Sequence, residues 1–287
     1  MPYTLPADID ERPVAIAGAG TLGRRIATVF AAGGTDVRVF DVSADQRSAA
    51  RDHVERQVRS VQQALGLDVP HPGAVDFTED LGEAVRGAWM VVEAVPEKLE
   101  LKRQVFGELD RVADADAILA SNSSSLPSGR LIDNVRHPER VLNTHYQQPP
   151  ELNAVELMSC GQTDPAIIDM LLAKLPQYGL EAFHVRRESD GFIFNRIWAA
   201  IKRECLMVVE EGVASAEDVD GMWRIWVRAG LAPFQLMDRV GLDVVLDIEE
   251  HYASVRPGIP DGPRRLLREY LDNGRLGVKS GRGFYEL

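Results

Sequence analysis

The sequence has few of the features that mark secreted, membrane or nucleic-acid-binding proteins. Only two cysteines occur in 287 residues, Cys160 and Cys205, and they form neither a disulfide framework nor a metal-ligand spacing. No apolar run approaches the roughly 20 residues of a membrane span, and the first residues lack the basic and apolar regions of a signal peptide. The formal net charge of −12 argues against a nucleic-acid partner. These absences predict a cytoplasmic globular protein with no metal, membrane or nucleic acid bound.

The first two-thirds of the chain alternates short β-branched runs with helical patterns, which predicts a parallel sheet of the α/β class. The predicted strands are Val14–Ala17, Asp36–Phe40, Val75–Phe77, Trp89–Ala94, Ala117–Ser121, Val141–His145, Ala154–Met158 and Ala182–Val185. The predicted helices are Thr21–Gly33, Ser43–Leu65, Glu97–Ala113 and Pro165–Tyr178. The segment from Ser43 to Gly66 is long and polar for a connecting helix, and we interpret it as a protruding helix or helical hairpin.

After Gly191 the strand patterns stop, and the rest of the chain is predicted to be all-helical. The first helix is predicted to bury one apolar stripe, formed by Ile193, Ile197, Ile201 and Val208. Ser215 and Asp218 have the spacing of a capping box for the next helix, and two more helices are predicted at Phe234–Tyr252 and Pro263–Asp272. We therefore predict two domains, residues 1–188 and residues 189–287.

A glycine pattern opens the chain directly after the first predicted strand. In Gly18-x-Gly20-x-x-Gly23, the first glycine permits the tight turn, the second lets the backbone approach a pyrophosphate, and the third permits close helix–strand packing. The helix that begins at Thr21 and Leu22 then presents free amides and its positive dipole end to phosphates. Because the pattern lies between a strand and a helix, it predicts a Rossmann-type dinucleotide site rather than a structural turn.

Asp41 ends the second predicted strand, where a carboxylate can bind the diol of the adenosine ribose. A carboxylate at this place also repels a 2′-phosphate, so NAD is favoured over NADP. Arg24 and Arg25 would weaken that preference if either reached the ribose, but both lie within the helix.

His145 stands at a strand end with polar residues at set distances along the chain. Ser124 precedes it in a serine-rich segment, Glu156 follows it in the next predicted strand, and Asn195 opens the helical part. An imidazole has an ordinary pKa of about 6.5 and suits the removal of a hydroxyl proton while a hydride leaves carbon. A single histidine at a strand end is more often structural, and it is the accompanying residues that favour catalysis.

With these residues in place, the chain resembles the 3-hydroxyacyl-CoA dehydrogenase family over nearly its whole length. Five segments in the same order carry the resemblance. They are Glu93–Lys102, Ser121–Leu126, Asp190–Arg196, Pro233–Asp243 and Gly277–Tyr285.

The resemblance implies an N-terminal NAD domain, a C-terminal helical domain that forms a homodimer, and an active site in the cleft between them. It implies that His145 is the catalytic base, that Glu156 orients it, and that Ser124 and Asn195 contact the substrate. It also implies cofactor contacts beyond the glycine loop, at Asp41, Glu97, Lys102 and Lys279. Met222, Trp223 and Trp226 are then expected in the core or at the dimer surface.

The sequence departs from the family pattern at three places. Gln148 precedes the proline where the family has an asparagine, and we predict that Gln148 replaces it on the nicotinamide side. The interval from His145 to Glu156 is one residue shorter. The segment Ser43–Gly66 contains no lysine to bind CoA phosphates, although Arg47, Arg51, Arg56 and Arg59 can serve instead.

Two questions about function stay open at this point. Val95-Pro96-Glu97 and Leu126-Pro127-Ser128 resemble the branch of the family that contains L-gulonate and carnitine dehydrogenases. The substrate is therefore either a 3-hydroxyacyl-CoA or a small free hydroxy compound. The alternative to an enzyme is a protein that binds NAD without turnover.

Overall fold

The computed structural model describes residues 3–228, 230 and 232–286. The chain forms two compact units that divide between Ile193 and Phe194. The first, here the sheet unit, contains eight strands in one sheet, and the second, here the helical unit, contains helices. The predicted α/β architecture with a helical C-terminal domain is confirmed. No helix in the described ranges is long and apolar enough to cross a membrane.

All eight predicted strands are present, with ends that differ by a few residues. They are β1 (Val14–Ala17), β2 (Val37–Phe40), β3 (Val75–Thr78), β4 (Met90–Glu93), β5 (Ile118–Ser121), β6 (Val141–Gln148), β7 (Leu152–Ser159) and β8 (Glu181–Val185). Their order in the sheet is β3-β2-β1-β4-β5-β6-β7-β8. Strands β1 to β6 are parallel, whereas β7 runs antiparallel to β6. The turn between β6 and β7 is too short for a parallel crossover, so the chain must reverse.

The helices of the sheet unit follow the predicted order. They are α1 (Thr21–Ala32), α2 (Ala44–Ala64), α3 (Leu81–Val85), α4 (Leu99–Val112) and α5 (Pro165–Lys174). The short α3 was not predicted. The segment after Ser43 forms one helix rather than a hairpin, and the Ser43 hydroxyl caps α2 by accepting from the Gln46 amide at 3.3 Å.

The centre of the sheet is buried on both faces. Every residue of β1, β4 and β5 is buried, as is typical of a parallel sheet covered by helices. Ile16 and Val92 face one hydrophobic cluster, and Ala15 and Val91 face the other. The carboxyl ends of these strands are thereby held rigidly, and the loops that follow them carry the candidate site.

The described residues of the helical unit form five α-helices. They are α6 (Phe194–Glu210), α7 (Ala216–Val227), α8 (Pro233–Val240), α9 (Leu242–Val255) and α10 (Gly262–Asp272). The capping box of Ser215 and Asp218 is confirmed at the start of α7. The predicted single helix Phe234–Tyr252 is wrong, because Gly241 adopts a φ of 103° and separates α8 from α9.

The predicted apolar stripe of α6 is wrong at its first two positions, whereas Ile201 packs partly buried against the core of the helical unit. Ile193 and Ile197 are exposed, and the buried face carries Ala199, Lys202, Arg203 and Leu206 instead. The Arg203 guanidinium is accommodated because it forms a two-pronged ion pair with Glu249 of α9, at 2.8 and 3.2 Å. A charged side chain therefore occupies a position that the hydrophobic pattern assigns to the surface.

Candidate active site

The glycine loop has the geometry that a bound pyrophosphate requires. Gly18 has a φ of 118°, and a Cβ on Gly23 would lie 1.8 Å from the Gly18 carbonyl oxygen. A Cβ on Gly20 would meet nothing within 4 Å, so the space in front of the loop is open. No side chain caps the first turn of α1, which leaves the amides after Thr21 and Leu22 to an external anion. The chain therefore fits a dinucleotide at this loop.

Asp41 lies beside the glycine loop at the end of β2. Its carboxylate accepts from the Ala19 amide at 2.8 Å and from the Ser43 amide at 2.9 Å. The Arg47 guanidinium donates to the Asp41 main-chain oxygen at 2.7 Å, so this arginine is held at the loop. Arg25 instead donates to the Pro149 carbonyl at 2.9 Å, at the β6–β7 turn.

His145 and Glu156 face each other across β6 and β7. The antiparallel register pairs the two residues directly, and the His145 Nδ1 atom lies 2.7 Å from a Glu156 carboxylate oxygen. The other carboxylate oxygen accepts from the Ile193 amide at 2.7 Å. Both side chains are buried. The two residues are eleven positions apart in the sequence, and their side chains form an imidazole–carboxylate contact.

Two further side chains contact the pair. The Phe192 ring lies over His145 with 5.0 Å between ring centroids, and the Gln147 amide lies 3.2 Å from a Glu156 oxygen. Gln148, predicted to take part in the nicotinamide side, is exposed at the end of β6. The structure therefore places Gln147 rather than Gln148 at the dyad, and alternation along β6 was the signal that could have found it.

The serine-rich segment after β5 is organised by Glu97. The hydroxyls of Ser123 and Ser125 both donate to the Glu97 carboxylate, the latter at 2.8 Å. Burial acts to raise the pKa of Glu97, but the charge of Lys102 and these hydroxyls outweigh burial and hold that pKa below its usual range. Ser124 is exposed between the two anchored serines.

Lys102 contacts Glu97 and the loop that precedes it. Its ammonium group lies 2.7 Å from Glu93, 3.2 Å from Glu97 and 3.2 Å from the Val95 carbonyl. Glu93 also accepts from the Ser121 hydroxyl at 2.8 Å. Only 1% of Lys102 is exposed, so these internal partners surround its ammonium group, and sequence reasoning missed Glu93 as one of them.

The remaining two predicted site residues belong to the helical unit. Asn195 is the second residue of α6, and Lys279 forms an ion pair with Asp243 at 2.7 Å. Within the described part of the chain no group of three histidine, cysteine, aspartate or glutamate side chains is arranged to hold a metal ion.

Comparison with known proteins fits this arrangement. The family model of the 3-hydroxyacyl-CoA dehydrogenase NAD-binding domain matches residues 13–188, and that of the C-terminal domain matches residues 191–287. The chain belongs to the 3-hydroxyacyl-CoA dehydrogenase family. It is an NAD-dependent oxidoreductase that acts on a CH–OH group.

Three similar proteins show which activities are named among the relatives of this chain. A 3-hydroxybutyryl-CoA dehydrogenase of Mycobacterium tuberculosis is 35% identical over 95% of this chain and 97% of that protein. The 5-formyl-3-hydroxy-2-methylpyridine 4-carboxylate 5-dehydrogenase of Mesorhizobium japonicum is 31% identical over 96% of this chain and 90% of that protein. The solved structure of (S)-3-hydroxybutyryl-CoA dehydrogenase from Ralstonia eutropha superimposes with a TM-score of 0.83 at 28% identity, covering 96% and 98% of the two chains.

Proposed function

We propose that this family member interconverts a 3-hydroxy compound and its 3-oxo form, with His145 as the proton acceptor and Glu156 as its orienting partner. The observation that carries the proposal is the 2.7 Å contact between the His145 Nδ1 atom and the Glu156 carboxylate, made by two buried side chains. A carboxylate at this distance places a proton on Nδ1 and leaves the lone pair on Nε2.

The chemistry divides between cofactor and protein. NAD held at the glycine loop would supply the acceptor for the hydride that leaves the carbinol carbon. The Nε2 atom of His145 takes the hydroxyl proton, and the charge of Glu156 stabilises the imidazolium that forms. In the reverse direction the same imidazolium returns the proton to the carbonyl oxygen.

Ser124 and Asn195 are proposed as the contacts to the reacting oxygen. A hydroxyl and an amide can donate to an oxygen that gains negative charge during reduction. The anchoring of Ser123 and Ser125 by Glu97 supports this role, because it fixes the backbone on both sides of Ser124.

For the cofactor we propose contacts from the glycine loop and from Asp41. The open space before Gly20 and the uncapped turn after it support phosphate binding, and the position of Asp41 beside Ala19 supports binding of the ribose diol. Glu97, Gln148 and Lys279 remain proposed contacts, whereas the internal partners of Lys102 support a positioning role.

Two substrate classes fit the family. The name of the M. tuberculosis relative points to a CoA thioester, and that of the M. japonicum relative points to a free carboxylate. Of the arginines of α2, Arg47 is bound at the Asp41 loop and Arg51 lies over the Phe77 ring. Arg56 and Arg59 are exposed, so these two arginines of α2 remain as candidates to bind CoA phosphates.

We also propose that the chain forms a homodimer through α7. Ile225 is 74% exposed and Trp226 is 81% exposed, and Met222 beside them is exposed too. This face borders an open pocket of about 380 Å³ lined mainly by apolar side chains, among them Val208 and Trp223. An apolar patch of this kind is typical of an interface.

A cytoplasmic location is proposed as well, because the enzyme uses NAD and both cysteines are free thiols.

Replacing the histidine tests the proposed reaction. We expect His145→Ala and Glu156→Gln to lower kcat/KM for a 3-hydroxy substrate by about 10⁴-fold, as disabling the partner does in related dyads, while the NAD dissociation constant measured by calorimetry changes less than about twofold. A variant of His137, which is exposed and lies outside the site, serves as the matched control. Equal loss of NAD binding in His145→Ala, or full activity in that variant, would remove the base assignment. A wild type that binds NAD but turns over no hydroxy acid would be an NAD-binding protein without turnover.

A further inference from the structure

Lys202 is a buried cation that lacks a carboxylate partner in the described part of the chain. It lies on α6 and only 4% of it is exposed. Glu249, whose charge acts on Lys202, is bound through both of its oxygens by Arg203. Burial lowers the pKa of Lys202 to about 8, the charge of Glu249 opposes that change, and the charge of Arg203 adds to it.

The other buried lysines of the protein are paired. Lys102 contacts Glu93 and Glu97, and Lys174 contacts Asp10. Such pairing is the rule, because an uncompensated charge inside a protein is strongly unfavourable. An unpaired lysine in the same chain therefore indicates a partner that arrives from outside.

The Lys202 ammonium group is directed back along α6. It lies 6.0 Å from the centroid of the Trp198 ring, one turn nearer the N-terminus, in agreement with the tilt of helical side chains. Asn195 is seven residues before Lys202, so the two share one face with their Cα atoms about 10.5 Å apart. Since the ammonium group reaches back by about one 5.4 Å turn, roughly 5 Å remains to the level of Asn195. That gap is comparable with the separation of hydroxyl and carboxylate in a short 3-hydroxy acid.

We infer that Lys202 binds the carboxylate of the substrate and selects small free 3-hydroxy acids over CoA thioesters. The inference rests on the proposed function, in which Asn195 contacts the reacting oxygen. One carboxylate would then be held at the ammonium group while the hydroxyl is held one turn earlier. A thioester offers no negative charge at that place, so it leaves the buried cation unpaired.

A binding measurement tests this without turnover. Acetoacetate and its neutral methyl ester are titrated calorimetrically into the enzyme saturated with NADH. For the wild type we expect acetoacetate to bind more tightly than the ester. In Lys202→Met the dissociation constant of acetoacetate should rise about 30-fold or more, and Lys202→Arg should recover part of the affinity. Arg268→Met, which removes an exposed cation from the same unit, should change neither constant by more than about twofold.

Kinetics with the same pair of ketones provide the second measurement. In Lys202→Met the KM for acetoacetate should rise about 30-fold or more, with kcat less affected and methyl acetoacetate reduced as by the wild type. Equal losses on both ketones, or no loss on either, would overturn the inference. A wild type that reduces acetoacetyl-CoA but binds no acetoacetate also overturns it, although the proposed reaction then stands. The converse result is a protein that binds acetoacetate in a way that depends on Lys202 and yet reduces none of the three compounds. That result would support carboxylate binding by Lys202 and contradict the proposed reaction.

Discussion

The sheet unit and the helical unit differ in the pairing of one buried cation and in the number of exposed apolar side chains. In the sheet unit the buried cations are paired, Lys102 with Glu93 at 2.7 Å and Arg140 with Asp110 at 2.9 Å. In the helical unit Lys202 is buried without such a partner among the described residues. Most of the exposed large apolar side chains that the structure describes also belong to the helical unit, although it is the shorter of the two.

We interpret the sheet unit as complete by itself and the helical unit as the part of the chain that binds further molecules. The sheet unit satisfies its buried charges with its own side chains, and its parallel strands are covered by its own helices. The helical unit leaves an apolar face on α7 and one buried charge on α6. We expect a second copy of the chain to cover the apolar face of α7 and a small anion to pair with Lys202 on α6.

The largest effect is expected where the apolar face of α7 meets the proposed second copy. Trp226→Asp should raise the dissociation constant of the dimer by about 10³-fold or more, because tryptophan at an interface centre contributes several kcal/mol. Analytical ultracentrifugation over a range of concentrations measures the change. Val112→Asp alters an exposed apolar position of the sheet unit and should leave the dimer intact. A dimer of unchanged affinity in Trp226→Asp would place the interface elsewhere.

A buried ion pair in the sheet unit provides the next largest effect. Lys102→Met should lower the free energy of unfolding by about 3–5 kcal/mol, because it leaves the Glu93 carboxylate buried without its cation. Urea denaturation followed by circular dichroism measures this loss. The double variant Glu93→Gln with Lys102→Met should recover part of the stability, since the remaining amide is neutral. A loss below about 1 kcal/mol would mean that the pair is not needed.

The corresponding change in the helical unit should have the opposite sign. Lys202→Met is expected to raise the free energy of unfolding at pH 7 by about 3 kcal/mol, because burial lowers the pKa of this lysine from its ordinary 10.5 to about 8. Only the folded state disfavours the charge, so the wild type gains stability as pH rises from about 8 to 10.5. The difference between variant and wild type should therefore be largest below pH 8 and vanish above 10.5. A destabilised Lys202→Met at pH 7 would contradict an unpaired buried charge.

The smallest effect concerns cofactor preference in the sheet unit. Asp41→Ala should shift the ratio of kcat/KM for NADP to that for NAD upward by about tenfold, since it removes a charge that repels a 2′-phosphate. Asp41→Asn removes the charge but keeps an oxygen for the Ala19 and Ser43 amides, so it should show the shift with less loss of stability. An unchanged cofactor ratio in both variants would show that Asp41 serves the loop alone.

The two units also differ in how well their structure is predicted from the sequence. Strands β1, β4 and β5 are buried on both faces and carry nearly unbroken apolar runs, which makes them readable from the sequence. The other five were found from their β-branched and aromatic residues, and His145 and Glu156 form a cross-strand pair. The antiparallel return of β7 depends on a short turn that propensity does not reveal. On α6 the hydrophobic pattern misleads in part, because Ile197 is exposed while Lys202 and Arg203 are buried. Arg203 is buried there because Glu249, 46 residues further along the chain, pairs with it.

The close approach inside the glycine loop limits how this enzyme can be redesigned. Because a Cβ on Gly23 would collide with the Gly18 carbonyl oxygen, a combinatorial library that randomises those two codons would consist largely of misfolded clones. Diversity is better placed at Asp41 and Arg47, whose side chains border the loop without filling it. A biocatalyst with altered coenzyme preference can then be sought with both glycines left in place.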